Sequence, residues 1–215
     1  SRAILQPVSL EISDGTCVCI RGASGSGKSV LLRAIADLDP CDGTVSLDGE
    51  DRTAMPAHVW RRKVTYVAAD SGWWVDKVGD HFEFPDIAAG YLVRLGFHGD
   101  VMSWPVSRLS TGERQRLALL RAMVQGPRVL LLDEPTSALD VSIQAQVIEL
   151  MLDLQQRLGL SYLFISHDLA VVEQMSHSIA VMLHGRIVEM GPRDAVLKTP
   201  AHAYTRELLS AIPIP

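Results

Sequence analysis

The sequence has 215 residues, of which 47% are hydrophobic and 21% are charged, and its formal net charge is -5. This composition fits one α/β domain with a buried core and excludes a disordered chain. A mildly acidic chain also lacks the positive field of a nucleic-acid binder, so we expect no nucleic-acid partner. No apolar run reaches the roughly 20 residues that cross a bilayer, and the N-terminus shows no secretion signal, so we expect no membrane span.

Strand-like and helix-like segments alternate along the chain. Short apolar runs rich in Val and Ile are each followed by an amphipathic stretch. This alternation predicts parallel strands joined by crossover helices, with ligands at the carboxyl ends of the strands. The strand and helix pairs are Cys17–Arg21 with 28–36, 129–132 with Val141–Leu158, and 162–165 with Leu169–Met175.

The first predicted strand contains two of the three cysteines. Cys17 and Cys19 alternate within an apolar run, which places both side chains on one face of a strand. Buried free thiols are the favoured interpretation, and a metal site is the alternative.

A phosphate-binding motif follows this strand. The segment Gly22-Ala-Ser-Gly-Ser-Gly-Lys28-Ser29 matches GxxxxGK[ST] and lies between a predicted strand and a predicted helix. Glycines let successive N–H groups point at phosphate oxygens, and the helix N-terminus adds a partial positive charge. We expect Lys28 to reach the β- and γ-phosphates and the Ser29 hydroxyl to ligate Mg²⁺. The predicted nucleotide-binding residues of this loop are Gly22, Ser24, Gly25, Ser26, Gly27, Lys28, Ser29 and Val30.

The middle of the chain has a different pattern. Short strands with Asp-Gly turn signals, at 43–49 and Val64–Val67, predict a small antiparallel piece beside the nucleotide. Residues 80–125 predict a short helical side lobe within a single domain that spans residues 1–215. Its arginines at helical spacing predict a solvated or phosphate-facing helix side rather than a nucleic-acid patch. These arginines are Arg114, Arg116 and Arg121.

Two adjacent carboxylates end the next predicted strand. Asp133 and Glu134 follow the apolar residues 129–132, so they belong at the sheet edge where the phosphates are expected. Asp133 is placed to hold Mg²⁺, directly or through water. Glu134 is placed to polarise the attacking water as a general base. The alternative is a solvated strand end.

The segment Leu109-Ser-Thr-Gly-Glu-Arg-Gln-Arg116 resembles the LSGGQ signature of the ABC (ATP-binding cassette) ATPase family, and it precedes the two carboxylates as in that family. Ser137-Ala-Leu-Asp140 resembles the D-loop of the family, and His167 resembles its switch histidine. Together the motifs cover nearly the whole chain. The resemblance implies a P-loop NTPase core that binds ATP and Mg²⁺ and hydrolyses ATP.

The signature segment, residues 109–116, also suggests a second phosphate site. Ser110 and Gly112 lie where a helix is expected to begin, so a hydroxyl and N–H groups can meet an anion. In the family, two domains pack head to tail, and the signature of one closes on the ATP of the other. The resemblance therefore implies an ATP-dependent dimer on a membrane permease, in the cytoplasm at the inner face of the cell membrane.

The histidines divide into one functional candidate and six structural ones. By resemblance, His167 contacts the γ-phosphate and positions the attacking water, so we count it with Lys28 and Glu134 as catalytic. Isolated histidines are usually structural. We interpret the others in this way: His58, His81, His98, His177, His184 and His202.

Three departures from the family pattern stand out. Ala69 occupies the place of the usual Gln that contacts Mg²⁺, which leaves open whether Asp70 or a water substitutes. Glu113 replaces the Gln of the signature and is expected to point away from phosphate or to cap the helix. None of the residues before Gly22 is aromatic, so the usual stacking partner of adenine is expected to be missing. Adjacent Trp73 and Trp74 could dock a partner or cap the side lobe.

The two halves resemble different relatives. From about Thr136 to the tail, the chain resembles oligopeptide and dipeptide importer ATPases, whereas the first half resembles small ABC ATPases. This contrast suggests a natural or engineered chimera with a junction between Asp133 and Asp140. Transport of peptides or similar solutes is the leading function. The alternatives are a nucleotide-binding domain without a transport partner and a non-transport ABC ATPase.

Overall fold

The computed structural model describes residues 5–211. The elements within this range alternate as the apolar pattern predicts. The strands are β1 (Cys17–Arg21), β2 (Ser46–Leu47), β3 (Glu50–Asp51), β4 (Val64–Val67), β5 (Val129–Asp133), β6 (Ser161–Ile165), β7 (Ser178–Leu183) and β8 (Arg186–Pro192). The α-helices are α1 (Lys28–Ile35), α2 (Ala57–Lys63), α3 (Pro85–Ala89), α4 (Thr111–Met123), α5 (Val141–Leu158), α6 (Leu169–Met175), α7 (Arg193–Lys198) and α8 (Ala203–Ser210).

One six-stranded sheet organises the molecule. Its strand order is β4-β5-β6-β1-β7-β8, and every pair except β7 with β8 is parallel. Parallel neighbours bring the carboxyl ends of β1, β5 and β6 to one edge, where the loops that follow them meet. The mostly parallel α/β fold is confirmed, and a separate antiparallel pair, β2 with β3, supplies the small antiparallel piece.

The sheet is covered on both faces at its centre, where β1 and β6 are buried along their whole length. Cys17 and Cys19 of β1 lie in the hydrophobic cluster on one face, whereas Val18 and Ile20 lie in the cluster on the other. The alternation follows from the two-residue period of a strand. Both cysteines are free and fully buried, as predicted for structural thiols. Burial raises the pKa of each thiol to about 12.

One strand of the predicted antiparallel piece is placed elsewhere. Val64–Val67 is β4, which pairs in parallel with β5 at the edge of the main sheet, so its assignment beside 43–49 was wrong. Short apolar runs do not by themselves distinguish parallel from antiparallel pairing. Here α2 lies between the runs and returns the chain to the sheet as a crossover connection.

The segment around 80–125 has two parts. Up to Leu109 it consists of short turns of helix, including α3 and the 3-10 segments Gly79–His81, Val93–Leu95, Val101–Ser103 and Val106–Arg108. The longer α4 then packs against the sheet through buried Leu117, Leu120 and Met123.

One of the α4 arginines is buried, which corrects the prediction of a solvated or phosphate-facing side chain for that residue. Arg116 is only 9% exposed, donates to the Leu95 carbonyl and lies over the Phe97 ring. Arg121 lies over the rings of Trp73 and Trp74.

Candidate active site

The glycine-rich loop between β1 and α1 borders a cavity of about 560 Å³ at the carboxyl edge of the sheet. A cavity of this size suits a small-molecule ligand. The structure brings most of the predicted residues to its wall although they come from three separate segments of the sequence. These residues are Gly22, Ser24, Gly25, Gly27, Lys28, Ser29, Val30, Asp133, Glu134 and His167.

Glycine is required at two turns of this loop. Gly22 has a φ of 151°, and a Cβ there would lie 2.2 Å from the Met182 carbonyl oxygen of β7. Gly27 has a φ of 103° and immediately precedes α1. L-residues with side chains rarely adopt these conformations, so the motif glycines are explained by backbone geometry and close packing.

Lys28 supplies a cation at the N-terminus of α1. Its Nζ donates hydrogen bonds to the carbonyl oxygens of Gly22, at 2.8 Å, and Ala23, at 2.9 Å. Burial lowers the pKa of Lys28, and the neighbouring Glu134 and Asp133 carboxylates oppose this shift. The ammonium group is therefore held over the loop by two neutral carbonyl acceptors. When a nucleotide binds, its phosphate oxygens can replace these carbonyls, because charged acceptors form stronger hydrogen bonds.

Ser26 is placed differently from the other loop residues. It is only 4% exposed and is not part of the cavity wall. Within residues 5–211 its hydroxyl has no hydrogen-bond partner, while its carbonyl accepts from the Gly185 N–H. The side chain of this predicted nucleotide-binding residue thus faces the protein, not the cavity.

The carboxylates at the end of β5 are held by different neighbours. Asp133 accepts a hydrogen bond of 3.0 Å from the hydroxyl of Tyr66 on the adjacent β4. Burial, together with the Asp133 charge, raises the pKa of Tyr66 above its ordinary value, so the phenol remains a donor at neutral pH. Tyr66 therefore fixes the orientation of the carboxylate that we expect to hold Mg²⁺.

Glu134 occupies an unusual backbone conformation. Its φ is 49°, in the left-handed region that non-glycine residues rarely adopt. The conformation is held from two sides: the Glu134 N–H donates to the Ile165 carbonyl, and the Glu134 carbonyl accepts from Gln115 Nε2 at 2.8 Å. Strained residues fixed by their surroundings concentrate at functional sites. Gln115 also accepts from the Ala138 N–H, so α4 is connected to the residues after β5.

His167 completes the cluster from the end of β6. Its Nδ1 lies 3.3 Å from Glu134 Oε2, and its side chain is 73% exposed. The ring therefore faces the cavity opening beside the candidate base. Three of the other histidines are structural as predicted, since His81, His177 and His202 each accept a hydrogen bond from a backbone N–H.

The signature segment lies outside this cavity. Ser110 is exposed at the start of α4, and neither Ser110 nor Gly112 contributes to the cavity wall. Glu113 accepts hydrogen bonds from the Ser110 N–H and hydroxyl and donates its own N–H to Ser110 Oγ, which is a capping box. The expectation that Glu113 caps the helix is confirmed.

The segment after β4 lacks a replacement for the missing Gln in this cavity. Ala69 and Asp70 are both exposed, and neither contributes to the cavity wall. Trp73 packs against the core, whereas Trp74 is 70% exposed. The predicted absence of an aromatic residue that stacks on adenine concerns residues 1–21, of which residues 1–4 lie outside the described range, and it stays a prediction.

Sequence reasoning missed four side chains at or near the site: Arg21, Tyr66, Gln115 and Tyr204. Tyr204 of α8 accepts a hydrogen bond of 3.0 Å from the Ala23 N–H of the phosphate loop. Its partner lies 181 residues away in the sequence, and no local pattern predicts such a contact. Arg21 could have been identified from the sequence, because a charged residue at the end of a buried apolar strand is unusual.

The fold and the loop define a nucleotide-binding domain of the P-loop class. A model of the ABC transporter family matches residues 5–137, and the model of the oligopeptide/dipeptide transporter C-terminal region matches residues 188–215. The chain belongs to the ABC transporter family. In residues 5–211 no helix is both long enough and apolar enough to cross a membrane.

Individual relatives agree with this assignment. The chain is 38% identical to a probable peptide ABC transporter ATP-binding protein, y4tS, of Sinorhizobium fredii, with 98% of this chain and 65% of y4tS covered. It is 40% identical to the oligopeptide transport ATP-binding protein OppD of Mycobacterium tuberculosis, with 97% of this chain but 37% of OppD covered. It thus spans less than two thirds of either relative. Both matches run through the two halves of the chain, so they give no support to a junction between two parents.

A solved structure shares the fold. It is the dimeric ATP-binding cassette MJ0796 in a post-hydrolysis state, bound to ADP and Pi. The two chains are 25% identical, with a TM-score of 0.79, and the similarity covers 88% of this chain and 90% of the other.

Proposed function

We propose that this chain binds ATP with Mg²⁺ and hydrolyses it as the ATP-binding part of a transporter. The observation that carries the proposal is the convergence of Lys28, Ser29, Asp133, Glu134 and His167 on one cavity. The glycine-rich loop and the start of α1 bind the phosphates through N–H groups, and Lys28 adds a mobile cation. Glu134 accepts the proton of the attacking water, and His167 beside it holds the γ-phosphate and the water in place.

The polar groups at the cavity fit Mg²⁺ bound together with a nucleotide. The Ser29 hydroxyl and the Asp133 carboxylate are hard oxygen donors, and both line the cavity. Within residues 5–211 no cluster of three or more His, Cys, Asp or Glu side chains could hold a metal alone. This small set suits Mg²⁺, which usually takes only one or two protein ligands beside phosphates and water. The ion would neutralise charge on the β- and γ-phosphates.

The position of the signature segment supports a head-to-tail dimer. The Ser110 hydroxyl and the first N–H groups of α4 form an exposed helix N-terminus that its own cavity does not use. A second copy can use it if the two subunits are related by a twofold axis. ATP would then lie between the loop of one subunit and Ser110 and Gly112 of the other, and hydrolysis would release the interface.

The cargo and the membrane partner are proposed from the relatives. Both similar proteins carry peptide or oligopeptide transport in their names, and residues 188–215 match the C-terminal region of such transporters. We therefore propose that the chain serves a peptide importer, bound to a permease at the cytoplasmic face of the cell membrane. Exposed Trp74, close to the segment after β4, is a candidate anchor for that permease.

The test is release of inorganic phosphate by the purified chain with Mg²⁺ and ATP. We expect release that EDTA abolishes and that Glu134→Gln reduces at least about 100-fold, as for loss of a general base. The matched control is Glu173→Gln, an exposed glutamate on α6, which should hydrolyse at the normal rate. ATP binding without any release above that of Glu134→Gln would contradict hydrolysis by this chain alone.

One observation favours a second function. Ala69 and Asp70 provide no side chain in the cavity wall where the family has its Gln. The chain would then be a nucleotide-binding domain that folds and binds ATP without coupling to a transport partner. Copurification with a permease distinguishes the two functions. A chain that belongs to a transporter should remain bound to the permease in detergent, whereas a domain without a transport partner should not.

A further inference from the structure

Arg21 is a buried cation directly beneath the active site. It ends β1, the strand that lies between β6 and β7 in the sheet. The residue is only 5% exposed and follows four apolar residues, Cys17 to Ile20, that are also buried. A guanidinium removed from water is costly unless charges or hydrogen bonds compensate.

The contact of Arg21 is with the loop that carries His167. This loop, residues 166–168, connects β6 to α6 and is called the switch loop below. Arg21 Nη2 donates a hydrogen bond of 3.3 Å to the His167 carbonyl. Burial lowers the pKa of Arg21, and the nearby Asp168 carboxylate opposes this shift. Within residues 5–211 the other terminal nitrogen, Nη1, has no hydrogen-bond partner. One nitrogen thus holds the switch loop while the side chain lines the cavity.

The remaining contacts of the switch loop lie on either side of His167. Asp168 accepts from the Ala170 N–H and from Gln144 Nε2 of α5, and its own N–H donates to Ser166 Oγ. These bonds fix Ser166 and Asp168. The His167 ring is 73% exposed and lies beside Glu134 Oε2, so little packing restrains it. The direction of the His167 ring consequently depends on the backbone of His167, between Ser166 and Asp168.

We propose that Arg21 is a positioning residue that holds the switch loop so that the His167 ring stays beside Glu134. The proposal rests on the hydrolytic function proposed above. Arg21 touches neither reacting atom in this role and acts through the His167 carbonyl. Removal of the guanidinium would free the peptide at His167 and let the exposed ring leave Glu134. Direct contact of Arg21 with phosphate is the competing role.

The two roles are separated by a double-mutant cycle in kcat. Arg21→Met keeps an unbranched side chain but removes the guanidinium group, and with it the charge and the hydrogen-bond donors. We expect it to lower kcat about 10-fold or more and to change the Kd of a non-hydrolysable ATP analogue by less than about 3-fold. In a His167→Ala background the same substitution should have almost no further effect. A multiplicative loss in both backgrounds, or a loss confined to Kd, would overturn the positioning role.

A second readout does not depend on turnover. The measurement is NMR of the histidine ring signals in the nucleotide-free protein. The His167 signal is assigned as the one that disappears in His167→Ala. Arg21→Met should shift or broaden that signal and leave the buried His81 unchanged, which also reports an intact fold. Arg62→Met, an exposed arginine paired with Glu83, is the control and should change neither signal. An unshifted His167 signal in folded Arg21→Met would refute the proposal.

The same measurements cover two remaining outcomes. If Arg21→Met does not fold, Arg21→Lys replaces it, because lysine keeps the charge but lacks the guanidinium fork. Arg21→Lys should also shift the His167 signal, and an unshifted signal there overturns the proposal equally. If wild-type protein releases no phosphate, the proposed hydrolysis fails, while the NMR comparison still decides whether Arg21 positions His167.

Discussion

Nδ1 of His167 lies 3.3 Å from Oε2 of Glu134, although the two residues follow different strands. The contact joins the end of β6 to the end of β5, which are neighbours in the sheet. Because the Glu134 carboxylate and the His167 ring lie within hydrogen-bonding distance of each other, both can contact one water molecule that lies next to a phosphate.

Lys28→Ala should weaken ATP binding about 10- to 100-fold. The substitution removes the ammonium group that hydrogen-bonds to the phosphate oxygens of ATP. A hydrogen bond to a charged group contributes roughly 1.5–3 kcal/mol, which corresponds to this loss of affinity. Isothermal calorimetry with ATP and Mg²⁺ measures the Kd. Lys198→Ala, an exposed lysine paired with Asp194, is the control and should bind normally. Equal affinity of Lys28→Ala and wild type would show that the loop is not the phosphate site.

Glu134→Gln should accumulate an ATP-bound dimer. The amide cannot accept the proton of the attacking water, so the ATP that closes the interface is not consumed. Sedimentation velocity with ATP should show a dimer for this variant and a mixture for the wild type. Glu173→Gln should behave like the wild type. A monomer at every ATP and protein concentration would argue against the head-to-tail arrangement.

Tyr66→Phe should increase the Mg²⁺ concentration that ATP binding requires by about 10-fold. The hydroxyl donates to Asp133, and the loss of such a supporting group typically costs 10- to 100-fold in metal affinity. The measurement is an Mg²⁺ titration of ATP binding in a Glu134→Gln background, where no ATP is consumed. Tyr91→Phe, in the side lobe, provides the control. An unchanged titration would mean that Asp133 needs no support from Tyr66.

Native protein at pH 8 should react with a disulfide reagent at one thiol only. Cys41 is partly exposed, whereas Cys17 and Cys19 are fully buried with pKa values raised to about 12. Thiolate is the reactive form, so the buried pair should react only as the protein unfolds. Cys41→Ser should therefore remove the fast phase. Three thiols that react at one rate in folded protein would contradict the packing of β1.

Local patterns in the sequence predicted the parts of the structure that depend on near neighbours. The loop from Gly22 to Ser29, α5 and α6 are defined by glycines, caps and apolar spacing within a few residues. The capping box of Ser110 and Glu113 belongs to the same class. Such features need no knowledge of the sheet order.

The parts that could not be predicted depend on distant contacts. Tyr66 meets Asp133, and Tyr204 meets Ala23, only because of the strand order and the placement of α8. The place of Val64–Val67 in the main sheet depends on pairing with β5. Arg116 is buried because Leu95 and Phe97 of the side lobe cover it. Tertiary packing decides each of these cases, and spacing along the chain does not.

The dependence of the phosphate-release rate on protein concentration, at saturating ATP and Mg²⁺, tests whether two subunits share each ATP. If two copies share each ATP between Lys28 of one subunit and Ser110 of the other, the rate should rise faster than linearly until the dimer is saturated. The rise should disappear in Glu134→Gln. A rate strictly proportional to concentration from well below to well above micromolar protein would contradict the shared site, because each chain would then hydrolyse ATP alone.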